Sequence, residues 1–320
     1  MKLKNWLGFA LLGICSLTHA APQQALIDLS QDFVQFYDAS ASLPSKDRVA
    51  QFKQLIAPKM ADYYGIARWN GKRTQAQQDE IIADAIQTFP EIRQNYLSKA
   101  QQFKADYNKN IISFKQHFPD FTMDVPVYLL HSLGEMDGGT RSFGNQLVLM
   151  FGVDGMVRYH ADSKDESAFF HHELFHVYHR QFFQQCEVVW CPLWNEGLAV
   201  YASSLLNPSA GPVELLLDSP KGMSSRTNAV LSKALEQLQT QLLSTRYEDY
   251  VELMQMGPES SDLPKRRGYL LSYYIAREIG KTHSIDQLAR MPGEQVLPLM
   301  QKALASLIEQ AKQGKLALLQ

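Results

Sequence analysis

The chain has 320 residues, of which 45% are hydrophobic and 20% charged, and its formal net charge at pH 7 is −2. This length is enough for a sizeable core, and the sequence contains neither an internal repeat nor a low-complexity tract. The mild acidity argues against a nucleic-acid-binding protein, because such proteins present a basic surface to the phosphate backbone.

The first twenty residues have the parts of an export signal. Lys2 and Lys4 form a basic start, the apolar run 6–17 is too short to span a bilayer, and a small-residue cleavage site ends at Ala20. Cys15 would suggest a lipoprotein, but a bulky residue precedes it where a small one is expected. We therefore expect a periplasmic or secreted protein without a membrane span, with a formal charge of −4 after cleavage.

An N-terminal helical region is predicted over residues 21–120. Apolar residues recur there at helical spacing in the segments 26–37, 48–64 and 76–107, and glycine is nearly absent. We expect these helices to pack on the remainder of the chain and to shape one side of a cleft.

Two short runs at residues 125–130 and 146–153 favour β-strands. The segment between them, residues 134–139, is so rich in glycine that a loop is predicted there. Together with the many helical patterns, these runs predict an α+β fold that is predominantly helical and carries one small sheet, within a central region of residues 121–215.

Residues 172–176, His-Glu-Leu-Phe-His, lie in the middle of a predicted helix. Ser163 followed by Glu166 is typical of a capping box, so Ser163 is the expected N-cap. Apolar residues at mostly helical spacing extend the pattern to about Phe183.

The two histidines of this motif can hold one metal ion. His172 and His176 are one helical turn apart on the same face, so both imidazoles can converge on one Zn²⁺. Glu173 projects toward the same cavity, where it can take a proton from water. A catalytic zinc needs a third protein ligand and one open position, and Glu196 is the candidate for that ligand.

The segments HELFH and, about twenty residues later, WNEGLAVYAS resemble the gluzincin metallopeptidases, the group of the thermolysin-type enzymes and the large zinc aminopeptidases. The resemblance covers residues 171–203. It implies the zinc ligands His172, His176 and Glu196, with Glu173 as general base. Thermolysin-type enzymes place an aspartate where this chain has Val200, to orient a zinc histidine, so another group must hold that imidazole here.

Two further histidines flank the motif. His179 lies about 10 Å along the helix from His172, too far to share one ion. His171 points about 100° away from His172. The metzincin pattern would need a glycine in place of His179 and a histidine in place of Phe182, so it does not apply. We predict that neither is a ligand, and a supporting contact to the site stays open for both.

The resemblance also implies that the strand before the zinc helix is an exposed edge, which pairs with an extended peptide substrate. Residues 147–151 are the candidate edge, and an interior strand is the equal alternative. The aminopeptidases carry a GxMEN segment that binds the substrate amine, and residues 134–137 do not match it. An endopeptidase is therefore favoured over an aminopeptidase.

Cys186 and Cys191 are the cysteines that remain after the signal is removed. In an oxidising compartment such a close pair predicts a disulfide, which would staple the loop between the zinc helix and the Glu196 helix. Zinc ligation is the alternative, but a structural site needs a second cysteine pair, which the chain lacks.

Residues 216–320 are predicted to form a C-terminal helical lobe. Tyr269 and Tyr273 share one face of a helix in this lobe, and either can reach the cleft to stabilise an oxyanion. Packing in the core is the alternative for both tyrosines. Arg266 and Arg267 are either solvated or bind a substrate carboxylate.

These features predict an exported zinc metallopeptidase of the gluzincin type, with one Zn²⁺ per chain and a peptide or protein as substrate. The alternative is a zinc-binding protein of the cell envelope without peptidase activity, which acts as a binding or assembly factor. Glu173 argues against that alternative, because a purely structural zinc has no use for a base beside it.

Overall fold

The computed structural model describes residues 26–259 and 261–319, so the predicted signal peptide and its cleavage site lie outside the described residues. Within them the chain is mostly helical and contains a four-stranded sheet, which confirms the predicted fold class. None of the helices in this part of the chain is long and apolar enough to cross a bilayer.

The sheet has the strand order β1-β2-β4-β3. Its strands are β1 (Leu26–Asp28), β2 (Val127–Leu130), β3 (Gly138–Phe143) and β4 (Gln146–Gly152). β2 pairs in parallel with both β1 and β4, whereas β3 runs antiparallel to β4. A two-residue turn joins β3 to β4, and Gly144 provides its positive φ of 58°.

Two of the sequence predictions for this sheet are wrong. Residues 26–28 form β1 rather than the start of a helix, because β2 offers them backbone partners that no local pattern reveals. Residues 138 and 139 begin β3 rather than lying in a loop. Gly138 is required there by close approach, since a Cβ atom would lie 2.6 Å from the Phe169 ring.

The strand before the metal-binding motif is an interior strand. β4 lies between β2 and β3, so residues 147–151 do not form the exposed edge, and the alternative of an interior strand is correct. The edge strand next to the motif is β3, whose first residues were predicted to lie in a loop because they are glycines.

From residue 26 onward, four α-helices precede β2, and the last of them is the longest. They are α1 (Ser30–Ala39), α2 (Ser45–Leu55), α3 (Ala61–Tyr64) and α4 (Gln75–His117). A capping box between Thr74 and Gln77 starts α4 by satisfying its first backbone N–H groups. The buried side of α4 packs against α2 and against the first two helices after the sheet, Val153–Tyr159 and Ser167–His179.

Nine helices follow the sheet. They are α5 (Val153–Tyr159), α6 (Ser167–His179), α7 (Trp190–Leu206), α8 (Met223–Ala229), α9 (Leu231–Gln241), α10 (Tyr247–Met254), α11 (Gly268–Ile279), α12 (Ile285–Ala289) and α13 (Gly293–Lys312) in the described part of the chain. α7 packs between α6 and α11. A Cβ atom on Gly197 would lie 2.5 Å from the Ser272 backbone, so the glycine lets α7 and α11 approach closely.

α6 begins later than its sequence predicts. Ser163 is not the N-cap, because its hydroxyl donates to the Asp165 carbonyl and the helix starts at Ser167. The Asp165 carboxylate accepts from the Ser167 N–H at 2.7 Å. Glu166 does not complete a capping box, since its carboxylate is bound to His160 instead.

The predicted disulfide is present. Cys186 is bonded to Cys191, and Cys191 is buried in the first turn of α7. The bond therefore ties the segment after α6 to the start of the helix that carries Glu196, and these thiols are not available as metal ligands.

Candidate metal centre

Three side chains from α6 and α7 converge on one point. The Nε2 atoms of His172 and His176 are 2.9 Å apart, and Glu196 Oε2 lies 3.2 Å from the first and 3.3 Å from the second. The histidines come from successive turns of α6, and the glutamate comes from the second turn of α7. We call these three residues the ligand triad.

The ligand triad fits a zinc ion. Donor atoms at about 2.05 Å from a tetrahedral zinc are about 3.3 Å apart, which is close to the separations found here. Burial would raise the pKa of Glu196, but His176 and His172 hold it well below its usual value. Burial lowers the pKa of His176, but Glu196 outweighs it and raises this pKa to about 9. The triad thus attracts positive charge, and its donor set is one that zinc accepts.

Glu173 lies beside the triad with an unused acceptor. Its side chain is buried, and Oε2 has no hydrogen-bond partner among the described residues. Burial raises its pKa against the opposing charges of His172 and His176. A buried carboxylate oxygen without a partner is costly, which is typical of a group that serves a bound molecule.

Asn195 holds one of the ligand imidazoles, and the sequence interpretation missed it. Its side-chain nitrogen lies 3.1 Å from His176 Nδ1, and its oxygen lies 3.3 Å from His179 Nδ1. If Nε2 of His176 held a metal, Nδ1 would carry the proton, and the Asn195 amide would accept it after its oxygen and nitrogen exchange places. Val200, at the position of the thermolysin-type aspartate, is buried and apolar.

The flanking histidines have other contacts, and neither belongs to the triad. His171 Nδ1 lies 2.9 Å from the Asn207 amide, and burial lowers the pKa of His171 to about 4. His179 stacks between Phe175 and Phe183, and burial lowers its pKa to about 3. His179 reaches the site only through Asn195.

The two tyrosines of α11 have different surroundings. Burial, followed by the charge of Glu196, raises the pKa of Tyr269, and the Arg266 guanidinium lies over its ring. Tyr273 packs instead against Tyr201 and Tyr274, under the guanidinium of Arg277.

Tyr250 is a further phenol on which the charge of Glu196 acts, and the sequence interpretation missed it. It lies on α10, and burial followed by the charge of Glu196 raises its pKa. No local pattern could have pointed to it, because α10 is far from the motif in sequence and packs on α11.

The adjacent arginines also differ. Arg267 is fully buried and bonds Glu252 at 2.8 Å and Gln237 at 3.0 Å, so it is neither solvated nor free to bind a ligand. Arg266 donates to the carbonyls of Leu216 and Ser219, both at 2.9 Å, and its guanidinium lies 4.1 Å from the centre of the Tyr269 ring.

The edge strand β3 begins against α6. A Cβ atom on Gly138 would lie 3.2 Å from Glu173 Cγ, so the strand starts beside the base. The Gly152 N–H donates to the Asp137 carbonyl at 2.8 Å. Asp137 and Gly152 are therefore a hydrogen-bonded pair, and every second residue of β3 after Asp137 forms such a pair with β4. The backbone groups of Gly138, Thr140 and Ser142 therefore face away from β4.

A second histidine–carboxylate cluster lies next to this strand. His160 Nε2 is 3.1 Å from Asp137, and its Nδ1 is 2.8 Å from Glu166, which also accepts from Lys99 at 2.6 Å. We call these four residues the His160 clamp, because they tie the start of β3 to the start of α6. Burial lowers the pKa of His160, but its two carboxylate partners raise it above the usual value overall.

No protein-family model matches the chain, and no curated protein or solved structure matches it significantly. The interpretation of the site therefore depends on its own geometry.

Proposed function

We propose that the protein is an exported zinc-dependent metallopeptidase of the gluzincin type. The observation that carries the proposal is the convergence of His172, His176 and Glu196 beside the unpartnered carboxylate of Glu173, on the helix α6. The disulfide is in keeping with a periplasmic or secreted location.

Each group has a role in this proposal. His172, His176 and Glu196 hold the zinc ion, which, when bound, lowers the pKa of water and polarises a carbonyl oxygen. Glu173 accepts the proton of the attacking water and delivers it to the leaving amine. Its raised pKa suits both transfers, because a base must also be able to return the proton.

The surroundings of the base supply binding groups. Tyr269 is our candidate for the hydrogen bond to the oxyanion of the tetrahedral intermediate, because the charges of Glu196 and Glu173 both act on its phenol. The outward-facing backbone of β3 pairs with an extended peptide, which gives affinity that tolerates many sequences.

The acidic residues near the start of β3 do not favour an aminopeptidase. Glu135 forms a two-pronged ion pair with Arg68, and Asp137 is bound to His160. Neither carboxylate is free to receive a substrate amine, so cleavage away from the N-terminus, as by an endopeptidase, is favoured.

The second candidate function is a zinc-binding envelope protein without peptidase activity. Both candidate functions require bound zinc, but only a peptidase cleaves peptides. The test is the digestion of a mixed peptide library by the mature protein after removal of metal and after addition of zinc. Cleavage that disappears with the metal and returns with zinc is expected from a peptidase, whereas stoichiometric zinc without any cleavage would favour the second candidate.

A further inference from the structure

Arg266 lies over the Tyr269 ring, and it has no carboxylate partner within the part of the chain that the structure describes. Among the described residues its guanidinium contacts only the carbonyls of Leu216 and Ser219 and the Tyr269 ring. The neighbouring Arg267, by contrast, is in a buried ion pair. Carbonyl contacts leave the positive charge uncompensated, so the guanidinium remains able to bind an anion.

The backbone of Arg266 is held in an uncommon conformation. Its φ is 65°, in the left-handed region that non-glycine residues rarely adopt. Such conformations persist where the surrounding structure fixes them, and they cluster at binding sites.

A cavity of about 370 Å³ connects the contacts of Arg266 with the start of β3. Leu216 and Ser219, whose carbonyls Arg266 binds, line this cavity together with Tyr159. His160 follows Tyr159 in the chain and is bonded to Asp137, the residue before β3.

The direction of a bound peptide follows from the direction of the strand. β3 runs from Gly138, beside Glu173, to Phe143. Antiparallel pairing is the more stable arrangement for an added strand. A peptide that pairs antiparallel with β3 therefore points its C-terminal end toward Gly138, Asp137 and the cavity.

We infer that Arg266 binds the C-terminal carboxylate of the substrate, so that the substrates are peptides with a free C-terminus, cut close to that end. This inference rests on the proposed function, and it replaces the endopeptidase expectation with cleavage close to the C-terminus. The cavity takes the C-terminal side chains, and the guanidinium forms charge-assisted hydrogen bonds to the carboxylate.

The test compares the binding of two ligands that differ at one end. A short N-acetylated alanine peptide with a free C-terminal acid, and the same peptide as a C-terminal amide, are titrated by calorimetry into the zinc-loaded protein. Every protein compared in this titration, the wild type at position 266 included, carries Glu173→Gln, which removes the base and so prevents cleavage during the measurement. The wild type is expected to prefer the acid by about 10- to 100-fold, which is typical of hydrogen bonds to a charged group. The variant Arg266→Met is expected to lose this preference, and Arg266→Lys to keep part of it.

The control is Arg226→Met, which removes a surface arginine paired with Glu259 in the same lobe and should keep the preference. Circular dichroism and zinc content show whether each variant is folded. Because zinc itself attracts a carboxylate, the decisive quantity is the difference between Arg266→Met and Arg226→Met.

The inference is overturned if the wild type binds acid and amide equally, or if Arg266→Met keeps the full preference while folded. Binding is measured without turnover, so the two proposals fail separately. An Arg266-dependent preference without cleavage would contradict the peptidase alone, and cleavage without the preference would contradict the carboxylate site alone.

Discussion

The His160 clamp and the ligand triad are both partly buried clusters of histidine and carboxylate, but their charges are arranged differently. In the His160 clamp, opposite charges alternate from Asp137 through His160 and Glu166 to Lys99, so every group faces a partner of opposite sign. In the ligand triad, two imidazole nitrogens face one another at 2.9 Å, and one carboxylate oxygen faces both.

The comparison shows that composition alone does not make a metal site. The clamp satisfies its own charges and needs nothing further, so its role is to hold β3 on α6. The triad directs its donor atoms at one another and lies beside the unpartnered Glu173, which is the arrangement that a shared cation and a water molecule would satisfy.

The largest expected effect comes from Glu173→Gln. We expect turnover to fall by about 10²- to 10⁴-fold with zinc content unchanged, because the variant keeps the ligands and removes the base. Initial rates of peptide cleavage and metal analysis on the same sample measure both. Glu248→Gln, a substitution at an exposed carboxylate, is the matched control. Loss of zinc from Glu173→Gln would show that this residue belongs with the ligands.

His160→Gln is expected to lower the free energy of unfolding by about 3 kcal/mol while zinc content is unchanged, because it leaves two buried carboxylates without their shared partner. The difference from the wild type should depend on pH. The raised pKa of folded His160 means that its stabilisation is complete below 6.5 and is lost as the pH rises through the folded value.

At acid pH the carboxylates decide the size of this difference. The pKa values of Asp137 and Glu166 are lowered in the folded protein. Their contribution to the free energy of unfolding is therefore complete above about pH 4.5, and it is lost as the pH falls through the folded pKa values. Urea unfolding of both proteins should therefore show the largest difference between pH 4.5 and 6.5. A difference that stays the same well below pH 4.5 and well above pH 6.5 would contradict the charged clamp.

Asn195→Ala is expected to weaken zinc binding by about 10- to 100-fold, because His176 loses the group that orients it. Competition with a chromophoric chelator measures the affinity. Asn207→Ala removes the corresponding amide from His171, which is not a ligand, and should leave the affinity unchanged. Equal affinities for the two variants would exclude the orienting role of Asn195.

The smallest expected effect comes from replacing both Cys186 and Cys191 by serine. The bond closes a short loop, so we expect the free energy of unfolding to fall by about 2 kcal/mol. Thermal unfolding with and without a reducing agent is the measurement. A wild type that reductant does not destabilise would show that the bond constrains nothing in solution.

The sequence predicted the parts of the site that depend on local spacing. Two histidines one turn apart on a strong helical pattern, followed by a second helix with Glu196, bring the same atoms together in the structure. The disulfide and the predominantly helical fold could also be predicted, because close cysteines and helical periodicity are local signals.

The parts that depend on distant contacts could not be predicted. The first residue of β3 must be a glycine because Gly138 passes close to Phe169. In the sequence alone, the same glycine is equally typical of a loop. The capping box at Ser163 failed because Glu166 binds His160 instead of the helix start. Tyr250 and Arg266 lie on α10 and in the segment before α11, far from the motif in sequence.

The most direct test of the ligand triad is the zinc content of the mature protein, of Glu196→Ala and of His160→Gln. We expect about one zinc per chain in the wild type and in His160→Gln, and strong loss in Glu196→Ala. A folded wild type without zinc, or equal zinc in wild type and Glu196→Ala, would contradict the proposed metal centre.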